Sequence, residues 1–422
     1  MNRAKVQGAR GMRQGANYSP LLLLSSAPYL PFLLFVLLLT ACAPQVVEIE
    51  VTRLVQDGTV PVLVELVEPT EVEVTRIVAQ EVTRIVPQEI EVVVEVTKMP
   101  LGSVERPIQL LFSPMVNTAV IQTRAQPLAD FLTEQTDRQF VVGLLDSEQG
   151  VVDLMCAAPV DVVAFLSAAG YVLAHEQCGA APLLAGVLPN ELSWQAGMIV
   201  VRRDSGITEL EQLAGKSWAI PDAASIARTR YFEAAFVEAG IELGERVPVP
   251  GDNTAMLAVL NGDVDFATGN FVPPLLPFEE TVWQFGEDSP EIWRRLGIAP
   301  NRSGIGFVIV NGRPENGGYQ IRDARAGIFD IEEDVFAETR ILTLSEPIPT
   351  DTIAVGADFP VGLANELAPL LQLFAASEEC VTSICSTDFY SWSALSPITD
   401  SEYDPLRFIR QQLNLSAEEL LP

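Results

Sequence analysis

The chain has 422 residues, 48% of them hydrophobic and 19% charged, which is enough apolar material for more than one core. Its formal charge of −30 excludes nucleic acid as a partner, because neutralising phosphates needs a basic surface. The single histidine, His175, leaves no material for a histidine-rich metal site, and a Ser-His-Asp triad would have to be built on that one residue.

Residues 1–41 carry Arg3, Lys5, Arg10 and Arg13 and no acidic residue, followed by an apolar run from Leu21 to Leu39 that ends in Leu39-Thr40-Ala41-Cys42. A basic start, an apolar middle and small residues before a cleavage point predict a secretory signal peptide. The Leu-Thr-Ala-Cys end resembles the bacterial lipobox, in which the cysteine becomes the acylated first residue of a lipoprotein. The competing reading is an uncleaved membrane helix. Pro28 and Pro31 would break it, and Phe32–Leu39 is too short to span a bilayer. A chain this acidic is expected to be held at the extracytoplasmic face of the cell membrane by acyl chains, since it gains nothing from anionic lipid.

Residues 42–105 are rich in Val, Glu and Thr, and a hexapeptide Glu-Val-Thr-Arg-Ile/Leu-Val recurs at Glu50–Val55, Glu73–Val78 and Glu81–Val86. The alternation is strand-like, but aromatics are nearly absent and Pro61, Pro69 and Pro87 interrupt it, which favours a spacer over an ordered β-domain. Fully extended, it reaches about 200 Å at about 3.3 Å per residue; as a coil it averages roughly 45 Å.

From Arg106 the pattern becomes α/β. Strands are predicted at Ile108–Phe112, Val160–Leu166, Gly197–Arg202, Trp218–Pro221 and Val264–Ala267. Helices are predicted at Ala119–Thr136, around Gly150–Cys156, and at Ala168–His175, Ile207–Leu213, Ser225–Ala239 and Thr254–Leu260. Such an order places candidate ligand contacts at the carboxyl ends of parallel strands, against helix starts that present free N–H groups.

Several runs in this part resemble one family in order and spacing. They are QPLADFL (Gln126–Leu132), DVVAFL (Asp161–Leu166), GYVLA (Gly170–Ala174), Met198–Ile207, LEQLAGK (Leu210–Lys216), Asp222–Ser225, AVLNGDVD (Ala258–Asp265) and EPIPTD (Glu346–Asp351). Together they resemble the substrate-binding proteins of phosphate, phosphite and phosphonate ABC transporters, over about residues 106 to 376. The resemblance implies a two-lobed type II periplasmic binding protein fold with two crossover hinge segments. Lobe one would comprise 106–200 and the return segment 346–422, and lobe two 201–345, with 273–340 as an elaboration. It implies a monomer that binds a small solute, a phosphorus oxyanion such as phosphonate or phosphite, and delivers it to permease subunits. No enzyme activity or cofactor is implied. A ligand-sensing receptor for a membrane signalling partner, or an importer subunit for a different small solute, is the alternative.

The family's ligand positions map onto Tyr171, Ser225, the Asp252-Asn253 stretch and Asn270, and the strand end that opens the first helix adds Ser113, Asn117 and Thr118, whose hydroxyls and N–H groups are expected to face the cleft. Tyr171 reads equally as a core aromatic, and Ser225 equally as a helix cap. Departures are visible. Ser225 is followed by Ile226, Ala227 and Arg228 where the family has further hydroxyls and a glycine, and Gly251-Asp252-Asn253 stands where it often has Ser-His-Asp. Arg228 is either a compensating charge or a solvated helix residue. With Cys42 acylated, Cys156, Cys178, Cys380 and Cys385 remain. Their even number in an exported chain favours disulfides over free thiols, with Cys380–Cys385 closing a short loop and Cys156–Cys178 the other pair. Neither pair has further ligands nearby, so no metal site is expected. The aromatic stretch 388–410, with Tyr390, Trp392 and Tyr403, is expected to complete lobe one.

Overall fold

A computed structural model describes residues 99–280, 282–416 and 418–421. The leader, the lipobox and the hexapeptide repeats therefore lie outside the described residues.

The first lobe starts with β1 (Ile108–Phe112), α1 (Thr118–Thr136), β2 (Phe140–Gly143), α2 (Glu148–Ala157), β3 (Val162–Leu166), α3 (Ala168–Cys178) and β4 (Ala181–Val187). β1 is apolar almost throughout because it lies between β2 and β3 and is covered on both faces. α1 buries Ile121, Ala125, Leu128, Ala129 and Leu132, one face at helical spacing, and Asn117 caps it by accepting from the Val120 N–H at 3.0 Å.

The chain then crosses into a second sheet through β5 (Trp194–Arg202), followed by β6 (Trp218–Ile220), α4 (Tyr231–Glu238), β7 (Arg246–Pro248), α5 (Gly251–Asn261) and β8 (Phe266–Phe271). An elaboration follows, with the short antiparallel strands β9 (Asn301–Arg302), β10 (Val308–Val310) and β11 (Tyr319–Ile321), then α6 (Val335–Glu338) and β12 (Thr339–Leu344). β13 (Ile348–Pro349), β14 (Thr352–Val355), α7 (Val361–Ala375), β15 (Ala394–Pro397) and α8 (Asp404–Leu413) carry the chain back. The first sheet has the order β15-β4-β14-β3-β1-β2, and the second β12-β5-β8-β6-β7 with β13 also paired to β5. Trp392 and Tyr390 pack in the first lobe's core.

Three sequence expectations change. Ile207–Leu213 is not a helix but a 3₁₀ turn, Leu210–Leu213, capped by Glu209 and Gln212. Gly206 at φ 75° and Gly215 at φ 70° bracket a segment too short to nucleate an α-helix. The helix from Ser225 opens with a π-helical turn, Ile226–Arg230, because the N–H groups of both Thr229 and Arg230 converge on the Ser225 carbonyl. α8 does not belong to the first lobe alone: Leu406 and Ile409 share a core with Ala227 and Ala234 of the second, and Phe408 packs on Tyr231 with ring centroids 5.7 Å apart.

The disulfides are Cys156–Cys178, joining the ends of α2 and α3, and Cys380–Cys385. The elaboration is held by a buried ion network. Arg325, fully buried, donates two bonds of 2.9 Å to Asp323 and one of 2.7 Å to Glu291, with its guanidinium 4.9 Å from the Phe336 ring centre. Breaking such a network from one side leaves a buried carboxylate unpaired. Arg325→Met is expected to lower stability to urea by about 3–5 kcal/mol, measured by equilibrium unfolding.

Candidate functional site

Two clusters form at the carboxyl ends of strands, one in each lobe. In the first, the chain leaves β1 at Ser113 and β3 at Ser167, and Ser167 caps α3 by accepting from the Gly170 N–H at 3.0 Å. The free N–H groups and positive dipole end of such a helix start suit an anion. Here the anion is the protein's own. Glu148, the first residue of α2 and only 7% exposed, accepts from the Ser113 hydroxyl at 2.6 Å, the Ser167 N–H at 2.6 Å and the Ser167 hydroxyl at 2.9 Å. Gly170 permits this approach, since a Cβ there would lie 2.4 Å from the Glu148 Oε1.

Asp351, at the end of the return crossover, sits beside this carboxylate. Its side chain receives no hydrogen bond and no ion pair from the described residues. Burial and, after it, the charge of Glu148 push its carboxyl up to about 7. The Tyr390 hydroxyl completes the cluster. Its side chain is 5% exposed, and it donates only a long 3.4 Å bond to the Phe165 carbonyl. Burial first, then Asp351 and Glu148, raise its ionisation well above the usual range.

The second cluster lies at the ends of β6 and β8. Ser225 caps the π-helical turn, accepting from the Arg228 N–H at 3.2 Å and from its Nε at 3.1 Å. The Arg228 guanidinium reaches Asp222 at 2.7 Å and Asp252 at 3.0 Å. The second Asp252 oxygen accepts from the Asn270 N–H at 3.2 Å. Arg228, partly exposed, is thus paired with two carboxylates that offset its charge.

The structure therefore brings Ser225, Asp252 and Asn270 together and sets Ser113 beside Glu148. Asn117 and Thr118 start α1 and are exposed. Asn253 packs its side-chain oxygen against Gly327 of the elaboration. Tyr171 stands apart: it is fully buried, packs at a tilt on Tyr403 with ring centroids 4.2 Å apart and donates its hydroxyl to Asp400 at 2.6 Å. His175 is spent on the Ala180 carbonyl, 2.8 Å from its Nδ1.

Sequence reasoning passed over Glu148, Asp351 and Tyr390. Asp351 closes the EPIPTD run, so a signal for it was present. An acid at the first turn of a helix, as Glu148 is, reads as ordinary dipole complementation. Two cavities of about 430 Å³ are lined by none of these residues. One lies by the crossing segments at Trp194 and Glu346, the other between α4 and α8. Among the described residues no cluster of three or more His, Cys, Asp or Glu could hold a metal, and no helix is long and apolar enough to cross a membrane.

Two α/β lobes, joined by crossing segments and each presenting helix starts at its strand ends, define a clamp-type solute-binding protein. The family model of the periplasmic substrate-binding protein of phosphonate ABC transporters matches residues 110–403, and the chain belongs to that family. Its fold is the two-lobed type II periplasmic binding protein fold. Similar solved structures include a binding component of an ABC phosphonate transporter from Pseudomonas aeruginosa. It is 15% identical, with 74% of this chain and 92% of that one covered at a TM-score of 0.36. A Prochlorococcus marinus protein in complex with methylphosphonate is 10% identical, with 73% and 98% covered and a TM-score of 0.35. A Xanthomonas citri protein bound to chloride is 13% identical, with 73% and 97% covered and a TM-score of 0.41. No curated protein matches the chain.

Because its hydroxyl serves Asp400, Tyr171→Phe is expected to lower stability by about 1.5–3 kcal/mol, the worth of a hydrogen bond to a charged group. Solute affinity, measured by calorimetry on the folded protein, is expected to stay within twofold.

Proposed function

We propose that this chain is the lipid-anchored, extracytoplasmic receptor of an ABC importer, attached through Cys42, monomeric, and set off from the membrane by the repetitive segment 42–105. In this reading 1–41 is the removed leader. Lobe one is built from 106–200 and 346–422, lobe two from 201–345, and closure on solute presents the clamp to the permease. The observation that carries the reading is the exchange of the chain between two α/β sheets through β5 and the 345–351 segment, with polar clusters at the strand ends of both. A solute touching both lobes shifts such a clamp toward its closed form.

The resemblance implies a phosphonate, phosphite or related small oxyanion as solute. The cluster chemistry supports a different small solute. A tetrahedral oxyanion needs several charge-assisted donors. Those of Ser167, which caps α3, serve Glu148, the guanidinium of Arg228 serves Asp222 and Asp252, and the Asn270 N–H serves Asp252.

The anchor and partner are tested together. The wild-type chain is expected in the membrane fraction, incorporating labelled palmitate and co-purifying with a permease and its ATPase from detergent extracts. Cys42→Ser is expected to lose both label and membrane association. An unlabelled wild-type chain, or one that co-purifies with no permease, contradicts the proposal.

A further inference from the structure

We infer that the cavity between α4 and α8 is a second ligand site, separate from the strand-end clusters. The class of ligand it takes is a small amphipathic carboxylate, with one anionic head on an apolar body.

Two distant stretches of sequence build the cavity. In α4, Phe232 and Phe236 are buried in the second lobe's core, while the next residue, Val237, is 56% exposed. α8 ends at Asn414, which takes the left-handed conformation at φ 51°. There the Leu415 N–H donates to the Arg410 carbonyl at 3.0 Å, so the chain turns back and both Leu413 and Leu415 line the cavity. Trp218 supplies another part of the wall. It is fully buried and donates its indole N–H to Thr268 at 3.1 Å, so it offers the cavity apolar surface. With Ile241 and Leu243, these side chains enclose about 430 Å³, within the roughly 300–1,000 Å³ of small-molecule pockets.

The charged part of the lining is Arg230, Glu233 and Arg246. Both arginines pair with Glu233, Arg230 at 3.3 Å, and both side chains also reach solvent. Two guanidiniums against one carboxylate leave this lining with a net positive charge, in a chain whose formal charge is −30. Glu242 and Glu245 lie close by in the sequence, but neither lines the cavity. A guanidinium has five donors, and each of these gives one to Glu233. The Arg246 guanidinium also stands 5.1 Å from the centre of the Trp218 ring, which holds the cation over the apolar wall.

An anionic head therefore finds charge-assisted donors beside a surface that suits an apolar body. A carboxylate matches the planar fork of a guanidinium. Other occupants fit less well. A cationic head would meet two guanidiniums, and a neutral apolar molecule would leave their remaining donors unused. The cavity of the same size by the crossing segments shows the contrast. Its charged lining is Glu346, Glu402 and Asp404, with no Lys or Arg. The walls of the α4–α8 cavity come from lobe two and from α8, which shares a core with α3 as well, so a bound carboxylate touches parts tied to both lobes.

The test uses the full-length chain in phosphatidylcholine nanodiscs, with empty nanodiscs as the blank. Calorimetry is run with hexanoate, 3-phenylpropionate and indole-3-propionate, each against its own amide and the matching amine. The expected result is saturable binding of at least one carboxylate, with a dissociation constant of about 1 mM or below. Its amide is expected to bind at least about fivefold more weakly, and the amine more weakly still. Arg230→Gln and Arg246→Gln, each first shown to be folded by circular dichroism, are expected to weaken binding about tenfold. Val237→Asp places a carboxylate on the apolar wall at an exposed position and is expected to abolish it. Failure of all three carboxylates to saturate would overturn the inference. So would an amide or amine that binds as tightly as its acid, or carboxylate binding unchanged in all three variants, which would place it elsewhere on the protein.

Discussion

The Glu148 carboxylate on the start of α3 is the contact around which the first lobe's strand ends are arranged. One side chain joins α2 to the end of β1 through Ser113 and to the end of β3 through Ser167. Each of its hydrogen bonds is charge-assisted, and bonds of this kind contribute about 1.5–3 kcal/mol apiece. An anion arriving from solution would have to displace a carboxylate that the fold already holds in position. Asp351 feels this carboxylate too, its own charge being disfavoured by burial first and by Glu148 after it.

The second lobe repeats the solution with different parts. Asp252 takes the Asn270 N–H at the end of β8, and Arg228 is held between Asp222 and Asp252. The π-helical turn after Ser225 and the cap on its hydroxyl fix where the guanidinium leaves the backbone. Ser167 and Arg228 are therefore both paired within the protein. α8, packed on α3 and on α4 at once, ties the lobes together, so any opening must be absorbed in the crossing segments or slide along that helix.

How much of this was legible in the sequence depends on the kind of signal. Ile108–Phe112 matches its strand because a central strand covered on both faces is an uninterrupted apolar run. The helix over α1 follows from its spacing. β4 went unread, since Pro182 and Gly186 break the strand pattern while β14 and β15 supply its pairing from more than 150 residues away. Ile207–Leu213 misled because its apolar spacing is helical over a segment that two glycines keep too short. The pairing of Cys156 with Cys178 and Cys380 with Cys385 came from number and spacing alone. The cluster residues were harder. Ser225 was visible as a cap, but the roles of Glu148 and Tyr390 depend on contacts between elements distant in the chain, which periodicity does not encode. Tyr171 illustrates the converse: a residue matching a family position whose hydroxyl the fold uses for Asp400.

The central claim is that the Glu148 carboxylate takes the Ser113 and Ser167 donors at the first lobe's strand ends. Its most direct measurement is the binding of inorganic phosphate, by calorimetry, to the wild type and to Glu148→Ala. The account predicts no detectable binding to the wild type and measurable binding once the carboxylate is removed and the Ser113, Ser167 and α3 donors are released. Phosphate bound by the wild type as well as or better than by Glu148→Ala would contradict it.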